Sequence, residues 1–228
     1  MIHFHGGPTP NGQKVAILLE ELGAPHVRHF VNTHLGDQHS PAFMAINPNA
    51  RQPAIVDAAE TPPLVVWESG AILVHLAEQH GRFLPADRAE RAEAMKWLMW
   101  QMSALGPTGG QMAYFGRQCD VKLPLAIERF ALELHRQLLL LDTVLAQRAY
   151  VAGDYGIADI AIYPWWLALR QVPVVQRRFR RAHWLPWFVN LVRSDAPAYR
   201  HIHDWAERVA ARPAVVRGMA AFTADDGC

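Results

Sequence analysis

RQPAIVDAAETPPLVVWESGAILVHL, residues 51–76, compresses a strand, a turn, a second strand and a helix start into about two dozen residues. Gln52-Pro53 favours extended backbone, because the proline ring fixes φ and its nitrogen carries no hydrogen. Behind it Ala54-Ile55-Val56 reads as a strand that ends at Asp57. Thr61-Pro62-Pro63 reverses the chain into Leu64-Val65-Val66-Trp67, which can pair antiparallel with the first run as a buried hairpin. Ser69 suits an N-cap, since Gly70 to Glu78 has helical spacing with Ile72, Leu73 and Leu76 on one face.

Glu68-Ser69 sets two opposite charge preferences side by side. A helix N-terminus at Ser69 attracts a carboxylate, while the Glu68 carboxylate accepts hydrogen bonds from an ammonium. Together they can hold an amino-acid headgroup, although the pair alone also describes an ordinary cap beside an acid. Pro53 adds to this: in the cis form it would turn the Gln52 backbone outward to pair with a peptide-like ligand.

Gln52-Pro53-Ala54-Ile55-Val56-Asp57 followed by Trp67-Glu68-Ser69-Gly70-Ala71-Ile72 resembles the glutathione-binding signature of the cytosolic glutathione transferases. The similarity extends over most of the chain. The resemblance implies a cis bond before Pro53, a hydrogen bond from the Gln52 backbone to the cysteinyl part of glutathione, and a γ-glutamyl end held by Glu68 and Ser69.

The 228 residues suffice for one large or two modest domains, and 51% hydrophobic content can fill a sizeable core. A formal charge of +1 gives no general reason to expect nucleic acid or a membrane surface as a partner. No apolar run approaches the roughly 20 residues of a membrane span. Met1-Ile2-His3-Phe4-His5 runs straight into turn residues, so no signal peptide is expected. With two cysteines, Cys119 and Cys228, no disulfide framework is expected, and a reducing cytoplasm fits.

In chain order, Ile2 and Phe4 alternate with His3 and His5 as a strand, Asn11–Leu22 reads as a helix buried through Val15, Leu18, Leu19 and Leu22, and Val27–Val31 reads as a strand. Strand, helix, strand, then the hairpin and its helix, predict an α/β thioredoxin-like domain over residues 1–82, with a short helix over Pro41–Ile46. His3, His5, His26, His29, His34 and His39 carry no ligand spacing of a zinc site, so no metal is expected. After Gly81-Arg82-Phe83-Leu84-Pro85 strand signals vanish. Long helices over Arg88–Met112 and Pro124–Arg148 predict an all-α domain over residues 88–228, the two together making a glutathione transferase fold. Gly156-Ile157-Ala158-Asp159 opens another helix in the manner of a capping box whose hydroxyl residue is replaced by glycine. The Met- and Trp-rich first long helix suits core or dimer interface, and Arg177-Arg178-Phe179-Arg180-Arg181 with Trp184 and Trp187 suits an amphipathic surface helix.

A glutathione thiol, with a pKa of about 8.5 in solution, needs help to ionise at neutral pH. Members of the family supply it with Tyr, Ser or Cys near the first helix, yet residues 1–50 contain neither Tyr nor Cys and only one serine, Ser40. Thr9 and Asn11 at the start of the first helix can donate to sulfur, or simply cap the helix. Thr9-Pro10-Asn11, Leu125-Ala126-Ile127-Glu128-Arg129-Phe130 and Trp97 through Gly106-Pro107 resemble the bacterial nu-class group, the glutathione-dependent disulfide-bond reductases. The resemblance implies Thr9 and Asn11 at the sulfur, Gln38 on the tripeptide, Arg129 on bound glutathione, and a homodimer. The expected function is disulfide reduction in which glutathione supplies the thiolate. The alternatives are conjugation of glutathione to an electrophile and a noncatalytic interaction protein of the same fold.

Overall fold

The computed structural model describes residues 1–170 and 199–222; the Arg- and Trp-rich cluster at 177–187 and Cys228 lie outside them. Four strands, β1 (Ile2–Gly6), β2 (His26–Phe30), β3 (Ala54–Asp57) and β4 (Leu64–Trp67), form one mixed sheet in the order β2-β1-β3-β4. β1 runs parallel to β2, with Ile2 opposite His26, and antiparallel to β3, with His5 opposite Ala54. β3 and β4 are the hairpin, Ala54 facing Trp67. The hairpin is not buried throughout: β4 is an edge strand, and Leu64, Val65 and Trp67 are about 40% exposed.

Helix α1 (Pro10–Leu22) crosses between the parallel strands, with Val15 to Leu19 buried. It ends where Gly23 takes a left-handed φ of 63° and its N–H closes on Glu20 and Leu19 carbonyls. A 3-10 turn (Asp37–His39) leads into α2 (Pro41–Ile46), and α3 (Ser69–His80) buries Ile72, Leu73 and Leu76 as their spacing requires. Asp57 anchors the end of β3 to α3. Burial pushes its carboxyl up, but donation from Ala59 N at 3.0 Å and Gln79 Nε2 at 2.7 Å, with His75 nearby, holds it below the usual range. On the same sheet, His5 stacks on His29 with ring centres 4.4 Å apart, and His3 Nδ1 lies 3.1 Å from His29 Nε2. Burial first, then His29 and His3, push His5 down to about 4. Among the described residues no group of three or more His, Cys, Asp or Glu could hold a metal ion.

The chain divides into two compact units, residues 1–91 with 210–228, and residues 92–209. Residues 210–222 therefore return to the sheet unit, which a division at residues 82 and 88 leaves out. Helix α9 (Pro213–Met219) lies on α1 so closely that a Cβ at Gly218 would sit 2.5 Å from Ile17 Cα. Arg212 donates to both Glu21 oxygens at 2.6 and 3.0 Å, Arg217 donates to Glu20 at 2.6 Å, and Phe222 meets Phe4 edge-on at 5.4 Å.

Helical character runs from α4 (Arg88–Trp100) through a π-helical turn (Gln101–Leu105), α5 (Gly106–Ala113) and a second π-helical turn (Tyr114–Gln118), past the expected stop near Met112. In the second unit α6 (Pro124–Leu145) packs on α5, with Gln137 Nε2 donating to Thr108 Oγ1 at 3.0 Å and Phe130 stacked on Phe115. Gly109 admits Leu169 and Trp165 of α7 (Ile157–Arg170), which would lie 3.0 and 3.2 Å from a Cβ there. Trp97 and Leu98 are buried, whereas Met99 is 48% exposed. No helix of the described residues is long and apolar enough to cross a membrane.

Asp159 knots this unit. Its Oδ1 accepts from Val151 N at 3.0 Å and from Nε1 of Trp205, on α8 (Arg200–Ala210), at 2.7 Å. Its Oδ2 accepts from Gly156 N at 3.2 Å, the returning half of the capping box. Burial pushes the carboxyl up to about 6 against these bonds. Asp159→Ala would leave three donors without an acceptor and should destabilise the protein by roughly 2–4 kcal/mol in denaturant unfolding. A loss below about 0.5 kcal/mol would mean that the buried carboxylate organises nothing.

Candidate functional site

The start of α1 is built by Thr9, the N-cap, whose Oγ1 accepts from Gly12 N at 3.2 Å. Pro10 follows at the first helical position, where a missing N–H costs nothing. Gly12 must lack a side chain: a Cβ would lie 2.2 Å from the Gly7 carbonyl and 2.9 Å from Gln52 Oε1. That clearance lets the loop before β3 close over the helix start, and Gln52 Nε2 donates to Thr9 Oγ1 at 2.5 Å. The Gln52-Pro53 peptide is cis, as the resemblance implied, and Thr61-Pro62 is cis as well. Asn47, almost fully buried, shapes the loop by donating through Nδ2 to the Arg51 carbonyl at 2.5 Å and accepting from Asn49 N at 3.0 Å.

At the other strand-to-helix junction the cap differs from expectation. Ser69 is the first residue of α3, and Glu68 occupies the N-cap with φ 72° and ψ 118°. A non-glycine residue in this region costs about 1–3 kcal/mol, which surrounding structure must hold in place, and such outliers gather at functional sites. The strain orients Glu68 outward, where it is exposed, while Ser69 stays 2% exposed beneath it. Ser69 Oγ accepts from Lys14 Nζ at 3.2 Å, so α1 and α3 are joined directly under the junction.

The structure thus brings Thr9, Gln52 and Pro53 together at the start of α1, and sets Glu68 and Ser69 over Lys14 of the same helix. Asn11 is the second residue of α1, half-buried. Gln38 lies in the 3-10 turn with Oε1 buried and, among the described residues, without a hydrogen-bond partner, and no bond joins it to Thr9 or Gln52. Arg129 belongs to the helical unit, with its side chain 70% exposed and its guanidinium 4.0 Å from Glu133. Residues 1–91 hold no cysteine. Cys119 follows the second π-helical turn, its Sγ donating to the Val121 carbonyl at 3.0 Å.

Residues 9–79, which span this whole cradle, match the family model described as glutathione S-transferase, N-terminal domain. Disulfide-bond oxidoreductase YghU of Escherichia coli is 43% identical over 217 residues, covering 92% of this chain and 71% of that protein. The chain belongs to the glutathione transferase family. A second Escherichia coli member, disulfide-bond oxidoreductase YfcG, is 36% identical over 223 residues, 96% of this chain and 94% of that protein. Among solved structures, glutathione transferase YghU of Streptococcus pneumoniae, complexed with glutathione, aligns with a TM-score of 0.85 at 40% identity over 97% of this chain and 84% of that one. A glutathione transferase of Burkholderia graminis with two glutathione molecules bound per subunit aligns at 0.84 and 36% identity, covering 99% and 89%.

Sequence reasoning missed Lys14. It occupies a helix position that reads as polar and exposed, yet it is 0% exposed. Burial pulls its amine from 10.5 down to about 7, with the Glu68 carboxylate opposing the shift. Between those values the unfolded chain carries a proton that the folded chain lacks, so folding stability rises with pH across that window, and below about 7 the full cost of the buried ammonium is present. Lys14→Met should therefore raise stability near pH 6, by on the order of a few kcal/mol, and the gain should shrink toward pH 10. Denaturant unfolding at both pH values checks this; a gain that does not change with pH would contradict it.

Proposed function

We propose that this glutathione transferase family member is a glutathione-dependent disulfide-bond reductase of the nu-class type, in which bound glutathione supplies the sulfur chemistry. The observation that carries the reading is the joining of the α1 N-cap hydroxyl, Thr9, to Gln52 of the cis-proline loop, within residues 1–91, which hold no cysteine. A helix N-terminus and a hydroxyl favour a thiolate, so a site with those features and no thiol of its own suits a ligand that brings one.

In this reading the Gln52 backbone pairs with the cysteinyl part of glutathione, and Pro53 holds that edge open. Ser69 and the N–H groups at the start of α3 take the γ-glutamyl carboxylate, and Glu68 takes its ammonium. Gln38 contacts the tripeptide through an amide whose oxygen has no partner among the described residues. Arg129 is kept as a carboxylate-binding guanidinium, exposed on α6. Thr9 and Asn11 donate to the sulfur.

The chemistry balances with two glutathiones. A thiolate attacks one sulfur of a disulfide, a mixed disulfide forms, and the other sulfur leaves as a thiolate that takes a proton from water. A second glutathione thiolate attacks the glutathione sulfur of the mixed disulfide, forming oxidised glutathione and releasing the second substrate thiol. Conjugation to an electrophilic carbon would use the same thiolate. Reduction is favoured because the relatives YghU and YfcG are both disulfide-bond oxidoreductases and a Pseudomonas putida glutathione transferase, 34% identical, carries one glutathione disulfide per subunit. Two cysteines, neither of them in residues 1–91, fit a cytoplasmic setting.

The double variant Cys119→Ser, Cys228→Ser should reduce a small disulfide with glutathione at close to the parent rate, while Thr9→Ala and Asn11→Ala should each slow it by about one to two decades. A folded cysteine-free protein that binds glutathione yet does not turn over would show that a protein thiol carries the exchange. The same reading includes a two-fold homodimer through the Met- and Trp-rich helix, of which Met99 is 48% exposed. Light scattering at micromolar concentration should give twice the chain mass, and a monomer would remove the dimer from the reading.

A further inference from the structure

Thr9 Oγ1 has two lone pairs and one hydrogen to offer. Gly12 N takes one lone pair at 3.2 Å and Gln52 Nε2 takes the other at 2.5 Å. With both acceptor positions filled, donation is all the hydroxyl has left. We infer that Gln52 is a positioning residue for the thiol chemistry, its side-chain amide holding the Thr9 hydroxyl as a hydrogen-bond donor toward the glutathione sulfur. This role is separate from the backbone contact of Gln52 with the tripeptide, and it rests on the reading of Thr9 as the donor to that sulfur.

The amide is held for its nitrogen. Gln52 Oε1 is buried and accepts no hydrogen bond among the described residues, a cost that a leucine or methionine of similar size would avoid. The space for it is reserved on the helix side, where a Cβ at Gly12 would stand 2.9 Å from that oxygen. On the chain side, Asn47 grips the carbonyl of Arg51 immediately before Gln52. Had the amide oxygen faced Thr9, it would have taken the hydroxyl hydrogen and left the hydroxyl nothing to give to sulfur. The observed arrangement does the reverse.

The consequence is a fixed polarity at the reacting atom. A freely turning hydroxyl spends part of its time pointing its hydrogen at the helix carbonyls or water, whereas one already accepting twice can only donate outward. A donor held in place favours the thiolate over the thiol and costs no reorganisation when the thiolate forms.

The test is titration of the bound glutathione thiol by thiolate absorbance, with kcat and glutathione Kd measured on the same proteins. Gln52→Leu should raise the thiol pKa by about half to one unit and lower kcat by roughly three- to tenfold, with Kd changed less than about twofold because the main-chain contact remains. Gln52→Lys, which still donates but adds a positive charge, should bring the pKa below the parent value, and Gln52→Glu, which accepts the Thr9 hydrogen instead and adds a negative charge, should raise it above that of Gln52→Leu. In a Thr9→Val background Gln52→Leu should add nothing, since its effect passes through Thr9. If Thr9→Val shifts the pKa and Gln52→Leu does not, the positioning role is wrong while the reading of Thr9 stands. An equal shift from Gln52→Leu with and without Thr9 overturns the inference in the same way. If Thr9→Val itself shifts nothing, the reading of Thr9 fails and takes this inference with it. Should Gln52→Leu not fold, Gln52→Met, compared in the parent and in the Thr9→Val background, decides the same question without a change of charge.

Discussion

Lys14 Nζ, sealed from solvent, donates to Ser69 Oγ and ties the first helix of the chain to the third. An ammonium in that position costs stability that an apolar side chain would not, so the bond makes sense only through what it supports. It holds the first residue of α3 below the strained Glu68, and it fixes the distance between the two helix starts that frame the cradle. Both helix starts follow directly from strands of one sheet, β1 into α1 and β4 into α3, so their spacing is set by strand order. Helix α1 is pinned from its far side too, where Gly218 lets α9 approach Ile17 and Arg212 grips Glu21. The two loops of the cradle therefore rest on helices that are bonded to each other and, through α1, to α9.

The sheet was legible because each strand carries its own signal. Two apolar runs split by Thr61-Pro62-Pro63 signal a hairpin locally, and α1 and α3 show their buried faces at helical spacing. The cradle was legible because its residues are consecutive: Gln52-Pro53 and Glu68-Ser69 adjoin the elements that position them. What escaped depends on residues far apart in the chain. Lys14 reads as a solvated position until Ser69, 55 residues on, is placed beside it. The return of residues 210–222 to the first unit has no local signature, since α9 is only seven residues long and its partners are Ile17, Glu20 and Glu21. Exposure of β4 follows from its place at the edge of the sheet, which the alternation of its side chains does not encode.

The two hydroxyls of the cradle are treated alike. Each accepts from a donor on another element, Thr9 from Gln52 and Ser69 from Lys14. The partners differ in charge, and on the proposed reading the difference suits the two ends of the tripeptide. An amine that titrates near neutrality adds positive character beside a carboxylate, where more attraction means tighter binding. A neutral amide at the sulfur end adds none.

On the proposed reading, that neutrality matters for rate. A thiolate's nucleophilicity falls as its pKa falls, and attack on a disulfide is fastest when the thiol pKa lies near ambient pH. Starting from about 8.5, a thiol needs only a modest push to reach that optimum. Two neutral donors at a helix N-terminus supply a push of that size. A buried ammonium within hydrogen-bond reach would drive the pKa well below neutrality, giving a fully formed thiolate of lower reactivity. Confining the buried amine to the γ-glutamyl end, and leaving amide and hydroxyl groups at the sulfur, lets one short helix start serve binding and chemistry with opposite electrostatic requirements.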